Sequence, residues 1–229
     1  MKNTLINKEV IKKIALTLGE LNNDVIYVGG ATVSLYINDP AADDVRPTRD
    51  IDISLQILSI PQLEEIRELL VDKGFKQSAD LGVICRFKLD DILIDVMSTK
   101  AVGWAPANQW FADGFDQRET VLIDEIQIQI MPLPYFLASK FSAFTDRGGS
   151  DPRYSKDFED ITYILNNRMD WHEVLINSEA NVKEFLARRL QKINDSSMLQ
   201  EAMRGNLFYE GQSERFKMII EKIALFLKK

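Results

Sequence analysis

Residues 46–53 read RPTRDIDI. Side chains alternate between the two faces of a strand, so Asp50 and Asp52 point one way while Ile51 and Ile53 point the other. Two carboxylates side by side repel unless a cation lies between them. The stretch reads either as a solvated strand edge or as half of a metal site, and its surroundings bear on the choice.

Upstream, DVIYVGG (24–30) reads as a buried strand ending on Gly29 and Gly30, and ATVSLYIN (31–38) as a short helix. PAADDVRPTR is a loop rich in proline and aspartate. Downstream, IDISLQI is a strand and PQLEEIRELLVDKG (61–74) a helix opened by proline and closed by glycine. GVICRFKL (82–89) and ILIDVMS (92–98) are strands joined by a hairpin turn at Asp90 and Asp91, and VLIDEIQIQIM (121–131) adds one or two more. EVIKKIALTLGELN, near the start, has helical spacing. After Pro132 and Pro134 the pattern turns helical: YFLASKFSAFTDR, KDFEDITYILNN, ANVKEFLARRLQKI and SERFKMIIEKIALFLKK. The prediction is an α+β chain: a mixed sheet with helices over 1–131, followed by an all-helical domain over 132–229.

Composition narrows the chemistry. The 229 residues carry one histidine and one cysteine. His172 reads as an exposed first-turn side chain of a helix started by Asp170, and Cys85 as a small core residue. A Ser-His-Asp triad or a histidine-rich zinc site has little to build on, which leaves carboxylates, lysines and arginines. The lone cysteine excludes an internal disulfide. No apolar run approaches a membrane span, and the N-terminal residues lack the features of a secretory signal, so a cytoplasmic chain without a membrane partner is expected. Net charge is −7. Residues 1–131 hold 13 Lys+Arg against 21 Asp+Glu and residues 132–229 hold 15 against 14, so the acidity lies in the first part. That argues against tight nonspecific binding to nucleic acid, although Arg188, Arg189 and Lys192 form a local basic face.

Asp95 stands among Ile92, Ile94 and Val96, and a buried carboxylate needs a partner. An arginine such as Arg86 or a divalent ion shared with Asp50 and Asp52 would serve. Mg²⁺ prefers oxygen ligands and binds through one or two carboxylates plus substrate phosphates. A glycine turn before a helix lets backbone N–H groups approach a triphosphate, and a lysine can neutralise a departing pyrophosphate. Gly29-Gly30, Asp50-x-Asp52, Asp95 and Lys140 together fit nucleotidyl transfer from an NTP.

The order YVGG, RPTRDIDI, LIDV resembles the nucleotidyltransferase fold shared with the polymerase beta superfamily. SKFSAFTDR followed by KDFEDITYIL is similar to the AbiEii-type toxin nucleotidyltransferases. The resemblance covers roughly residues 25–165. It implies that Asp50 and Asp52 bind catalytic Mg²⁺ or Mn²⁺, and that Asp95 shares a metal and helps deprotonate the attacking hydroxyl. Gly29 and Gly30 would line the triphosphate, Lys140 contact the phosphates, and Asp157 complete the site from the helical part. Thr48 and Arg49 would orient or contact phosphate, or merely open the strand. Gly30 stands where many members of the broader fold carry serine. The implied acceptor is a tRNA-like RNA end, and the implied partner a cognate antitoxin. Other readings are a small-molecule acceptor such as an aminoglycoside, a protein hydroxyl, or a nucleotide-binding module without catalysis. Asp160 reads as a solvated helix position, and DRGGSDPRYSK (146–156) as an interhelix loop or a lid. Trp104 and Trp110 read as core residues or base-stacking platforms.

Overall fold

Seven strands form one mixed sheet in a computed structural model that describes residues 2–48, 50–78, 85–147 and 151–229. The strands are β1 (Val25–Val28), β2 (Asp50–Leu55), β3 (Lys76–Gln77), β4 (Arg86–Leu89), β5 (Ile92–Ser98), β6 (Glu119–Ile123) and β7 (Ile126–Ile130), in the order β3-β4-β5-β2-β1-β7-β6. β2 and β5 run parallel, as do β1 and β7, and the other neighbours are antiparallel. The predicted mixed sheet is therefore present. Its hairpins turn on Asp90 (φ 52°) and Asp124 (φ 53°), a left-handed conformation that aspartate tolerates because its short side chain bonds locally.

The register sets which side chains share a face. Asp52 pairs with Asp95 across the parallel β2–β5 ladder, and Asp95 with Arg86 across the antiparallel β4–β5 ladder. Asp52, Asp95 and Arg86 therefore share one face, and Asp50 joins them two residues along β2. The other face is the core: Ile51, Ile53, Ile94 and Val96 are at most 1% exposed. The alternation read from IDI and IDV thus divides each strand between a polar site and a packed interior.

Helices α1 (Asn3–Leu18), α2 (Ile60–Asp72) and α3 (Phe111–Asp116) belong to this unit, which spans Met1–Leu35 and Asp44–Pro132. α1 begins earlier than its apolar spacing suggested, because its cap comes from elsewhere. Lys2 offers no side-chain cap, and Asp44 of the proline-rich loop accepts from the backbone N–H of Asn3 at 2.5 Å and of Thr4 at 2.9 Å. ATVSLYIN is not an α-helix. It makes a 3-10 turn over Gly30–Leu35, in which the Thr32 hydroxyl donates back to the Gly29 carbonyl. Cys85 is buried as predicted, whereas Gly82–Ile84 lie outside the described residues.

The second unit spans Tyr36–Asp43 and Leu133–Lys229. It holds α4 (Leu133–Asp146), α5 (Lys156–Asn167), α6 (Trp171–Ile176), α7 (Ala180–Asp195), α8 (Ser197–Gly205) and α9 (Gln212–Leu227). Its core includes Phe136, Phe158, Trp171, Leu190 and Ile219, all fully buried. The segment Tyr36–Asp43, assigned from sequence to the first domain, packs here. Tyr36 stacks on Phe136 at 4.2 Å, and Asp39 pairs with Arg215 at 2.7 Å. His172 is half-buried with its ring edge-on to Trp171, not exposed as read from the sequence. Among the described residues no helix is long and apolar enough to cross a membrane.

Candidate active site

β1 ends on Gly29, which has φ 75°. A side chain there would be strained, and a Cβ would overlap the Asp52 carboxylate. Gly30 is needed for a different reason: a Cβ there would run into the guanidinium of Arg46. The Gly-Gly turn, Asp52 and Arg46 are thus immediate neighbours. Arg46 was not singled out from sequence. Its one signal was its place at the head of RPTRDIDI.

Thr48 turns its hydroxyl toward Asp50, donating to Oδ1 at 3.2 Å. This orients the carboxylate at the strand's start. Arg49, the other residue expected there, lies outside the described residues. Asp50 and Asp52 are half-buried, while Asp95 is only 8% exposed.

The partner of Asp95 is Arg86. Its Nε donates to Oδ1 at 2.7 Å and its Nη2 to Oδ2 at 2.7 Å, a two-pronged pair of charge-assisted bonds. The same Nη2 lies 3.5 Å from Oδ2 of Asp50. Its hydrogen bonds to Asp95 hold the Arg86 pKa above its ordinary value, against the opposing effect of burial. One guanidinium thus contacts two of the three carboxylates on this sheet face.

The donors at this face are hard oxygens, the set that suits Mg²⁺ or Mn²⁺. Among the described residues no three such side chains converge as they stand on one ion position. Arg86 uses one lone-pair site on each oxygen of Asp95, which leaves two of about four. By chemistry these residues suit a divalent ion, which Asp50 and Asp52 would hold first, with Asp95 as a third donor only after the side chains shift.

In the helical unit Lys140, the residue expected at phosphate, is 6% exposed and ion-paired. Its Nζ lies 2.7 Å from Asp160 and 3.3 Å from Asp157. Arg147 caps the other Asp157 oxygen at 2.9 Å. Asp160, read as a solvated position, is 2% exposed and is the nearer carboxylate to Lys140. The apolar surroundings of the lysine in YFLASKFSAF were the available signal, since Leu133–Ser142 are all buried. Trp110 is buried, and the Trp104 indole donates to Glu64 at 3.1 Å and packs on Phe87, so both are fixed by packing. Arg189 stacks on Phe185, while Gly148–Ser150 of the glycine-rich loop lie outside the described residues.

Comparison with known proteins bears on the family and the fold. A family model described as nucleotidyl transferase AbiEii toxin, type IV TA system, matches residues 16–229. The fold is similar to that of an antigenic nucleotidyltransferase-like protein from Paracoccidioides brasiliensis, at 19% identity, over 87% of this chain and 92% of that one, with a TM-score of 0.51. It is also similar to the solution structure of the antibiotic-resistance factor ANT(2'')-Ia, at 13% identity, over 83% of this chain and 96% of that one, with a TM-score of 0.50. A search of curated proteins finds no match.

Proposed function

Because the chain belongs to the AbiEii family of nucleotidyltransferase toxins, we propose that it moves a nucleoside monophosphate from an NTP to the hydroxyl of an RNA end, with Mg²⁺ or Mn²⁺ bound at Asp50 and Asp52. The observation that carries this reading is the contact of the Asp52 carboxylate with the Gly29 turn, beside Asp50 and Asp95 on one sheet face. That turn offers backbone N–H groups and close approach to phosphate. Arg46, held against Gly30, supplies positive charge at the same turn.

In the proposed reaction the acceptor oxygen bonds to the α-phosphorus, the bond from that phosphorus to the bridging oxygen breaks, and pyrophosphate leaves. The acceptor hydroxyl proton passes to Asp95, whose orientation Arg86 fixes. A divalent ion held by Asp50 and Asp52 would supply charge neutralisation on the triphosphate and a lower pKa for the attacking hydroxyl. Thr48 keeps Asp50 turned toward the same face.

An RNA acceptor is supported by the toxin family and by the basic residues Arg188, Arg189 and Lys192 on α7. A type IV toxin–antitoxin system also implies a cognate antitoxin as counterpart. The test is incubation with each labelled NTP, Mg²⁺ and total RNA, following pyrophosphate and label together. Label on RNA with stoichiometric pyrophosphate is the expected result. Label on a small molecule or protein would change the acceptor, and no pyrophosphate from any NTP would remove the reaction.

A further inference from the structure

Arg86 stands on β4 and reaches over β5 toward Asp50 on β2, the next strand beyond. Its Nη2 lies 2.7 Å from Oδ2 of Asp95 and 3.5 Å from Oδ2 of Asp50. A Mg²⁺ ion joining those two oxygens would sit about 2.1 Å from each. This nitrogen, within 3.5 Å of both oxygens, lies close to any such ion, and two cations at that separation repel strongly.

We infer that Arg86 controls metal loading: its Nη2 and a divalent ion shared by Asp50 and Asp95 exclude one another, so the ion joins both carboxylates only when that nitrogen withdraws. The inference rests on the metal-dependent reading above. The other prong, Nε to Oδ1 of Asp95, need not break, so Arg86 remains a positioning residue for Asp95 after the exchange. Charge points the same way. With Arg46 at the neighbouring turn counted, three carboxylates and two guanidiniums leave a formal charge of −1, where the site without Arg86 would carry −2. A free ion is attracted less strongly to the smaller charge, whereas an ion arriving with a triphosphate brings phosphate oxygens of its own. Arg86 thereby favours loading with metal–nucleotide over loading with bare metal.

The test is Mn²⁺ binding to the full chain without nucleotide, read by electron paramagnetic resonance, for the unaltered protein, Arg86→Gln and Arg86→Lys. Arg86→Gln should bind Mn²⁺ about tenfold tighter or better, because a positive charge beside the ion is gone. Arg86→Lys, which keeps the charge without the fork, should fall between. Equal or weaker binding in folded Arg86→Gln overturns the inference alone. No binding to any of the three overturns it together with the metal-dependent reading. If Arg86→Gln does not fold, the Arg86 side-chain N–H resonances of the unaltered protein, identified by their loss in Arg86→Lys, decide it. They should shift as Mg²⁺ is added, and unmoved signals at saturation overturn the inference.

Discussion

Asp50, Asp52 and Asp95 lie on a sheet face with Arg86 among them, whereas Asp157 and Asp160 lie between two helices with Lys140 between them. The ingredients are nearly the same and the burial is not. The side chain of Asp50 is 41% exposed, while those of Asp157, Asp160 and Lys140 are 6%, 2% and 7% exposed. Water reaches Asp50 of the first group, while the side chains of Arg86 and Asp95 beside it are 19% and 12% exposed. In the second, each charge is desolvated and depends on its neighbours, and removing one strands the rest. Acid clusters that look alike in sequence thus divide into one with a solvent-exposed carboxylate and one whose carboxylates are buried against a lysine.

The sharpest way to break this contrast is Asp52→Ala. Loss of the carboxylate at the Gly29 turn should reduce pyrophosphate release by about 10³-fold or more, several kcal/mol of transition-state stabilisation. Its melting temperature should stay level or rise, since like charges are relieved. A variant that keeps its activity at limiting Mg²⁺ would move the site elsewhere.

Lys140→Ala tests the other side. It leaves Asp157 and Asp160 buried without their shared cation and should cost about 3–5 kcal/mol in urea unfolding. A loss below about 1 kcal/mol, the range of an exposed pair, would mean that Lys140 is not holding the helices, and its expected role at phosphate would regain ground.

Gly29→Ala sharpens the contrast within the first unit. The substitution forces a positive φ on alanine and pushes the Asp52 carboxylate aside. The backbone strain alone should cost about 1–3 kcal/mol, with activity falling further than stability accounts for. Equal activity and stability to the parent chain would show that the turn and the carboxylate do not meet.

Asp44→Ala gives the smallest effect, about 1 kcal/mol for the lost helix cap. Burial pushes the Asp44 pKa up, but hydrogen bonds from Thr4 and Asn3 outweigh it and the folded value is lowered. The cap's contribution is therefore complete above the unfolded pKa of about 3.9 and is lost as pH falls through the folded value. The stability gap between Asp44→Ala and the unaltered chain should be full at pH 7 and close below about pH 4. A gap that persists at pH 2 would assign the effect to something other than the carboxylate.

Much of the first unit was legible because its strands alternate. Ile-Asp-Ile and Ile-Asp-Val state both the period and the polar face, and the hairpin aspartates mark the turns. What a strand pattern cannot state is register. Arg86 was one named candidate for Asp95, but only the antiparallel pairing that sets them opposite makes it the partner. Arg46 was hidden for a related reason, since its neighbour Gly30 lies sixteen residues earlier and the two meet only in three dimensions. In the second unit the sequence did not show the pairing. Lys140 was read by charge, as a phosphate contact, and the apolar run of α4 around it was the signal that it also meets the buried acids Asp157 and Asp160.

The Asp44 cap also makes the start of the chain a remote observer of the site. Its carboxylate shields the amide hydrogens of Asn3 and Thr4 from exchange with solvent, and it belongs to the same short loop as Arg46 and Thr48. Any nucleotide that stiffens or displaces that loop should slow or speed deuterium uptake at those two amides. Occupancy of the Gly29–Gly30 turn could thus be followed from the first turn of α1, without a label on the substrate and without touching a residue that binds it.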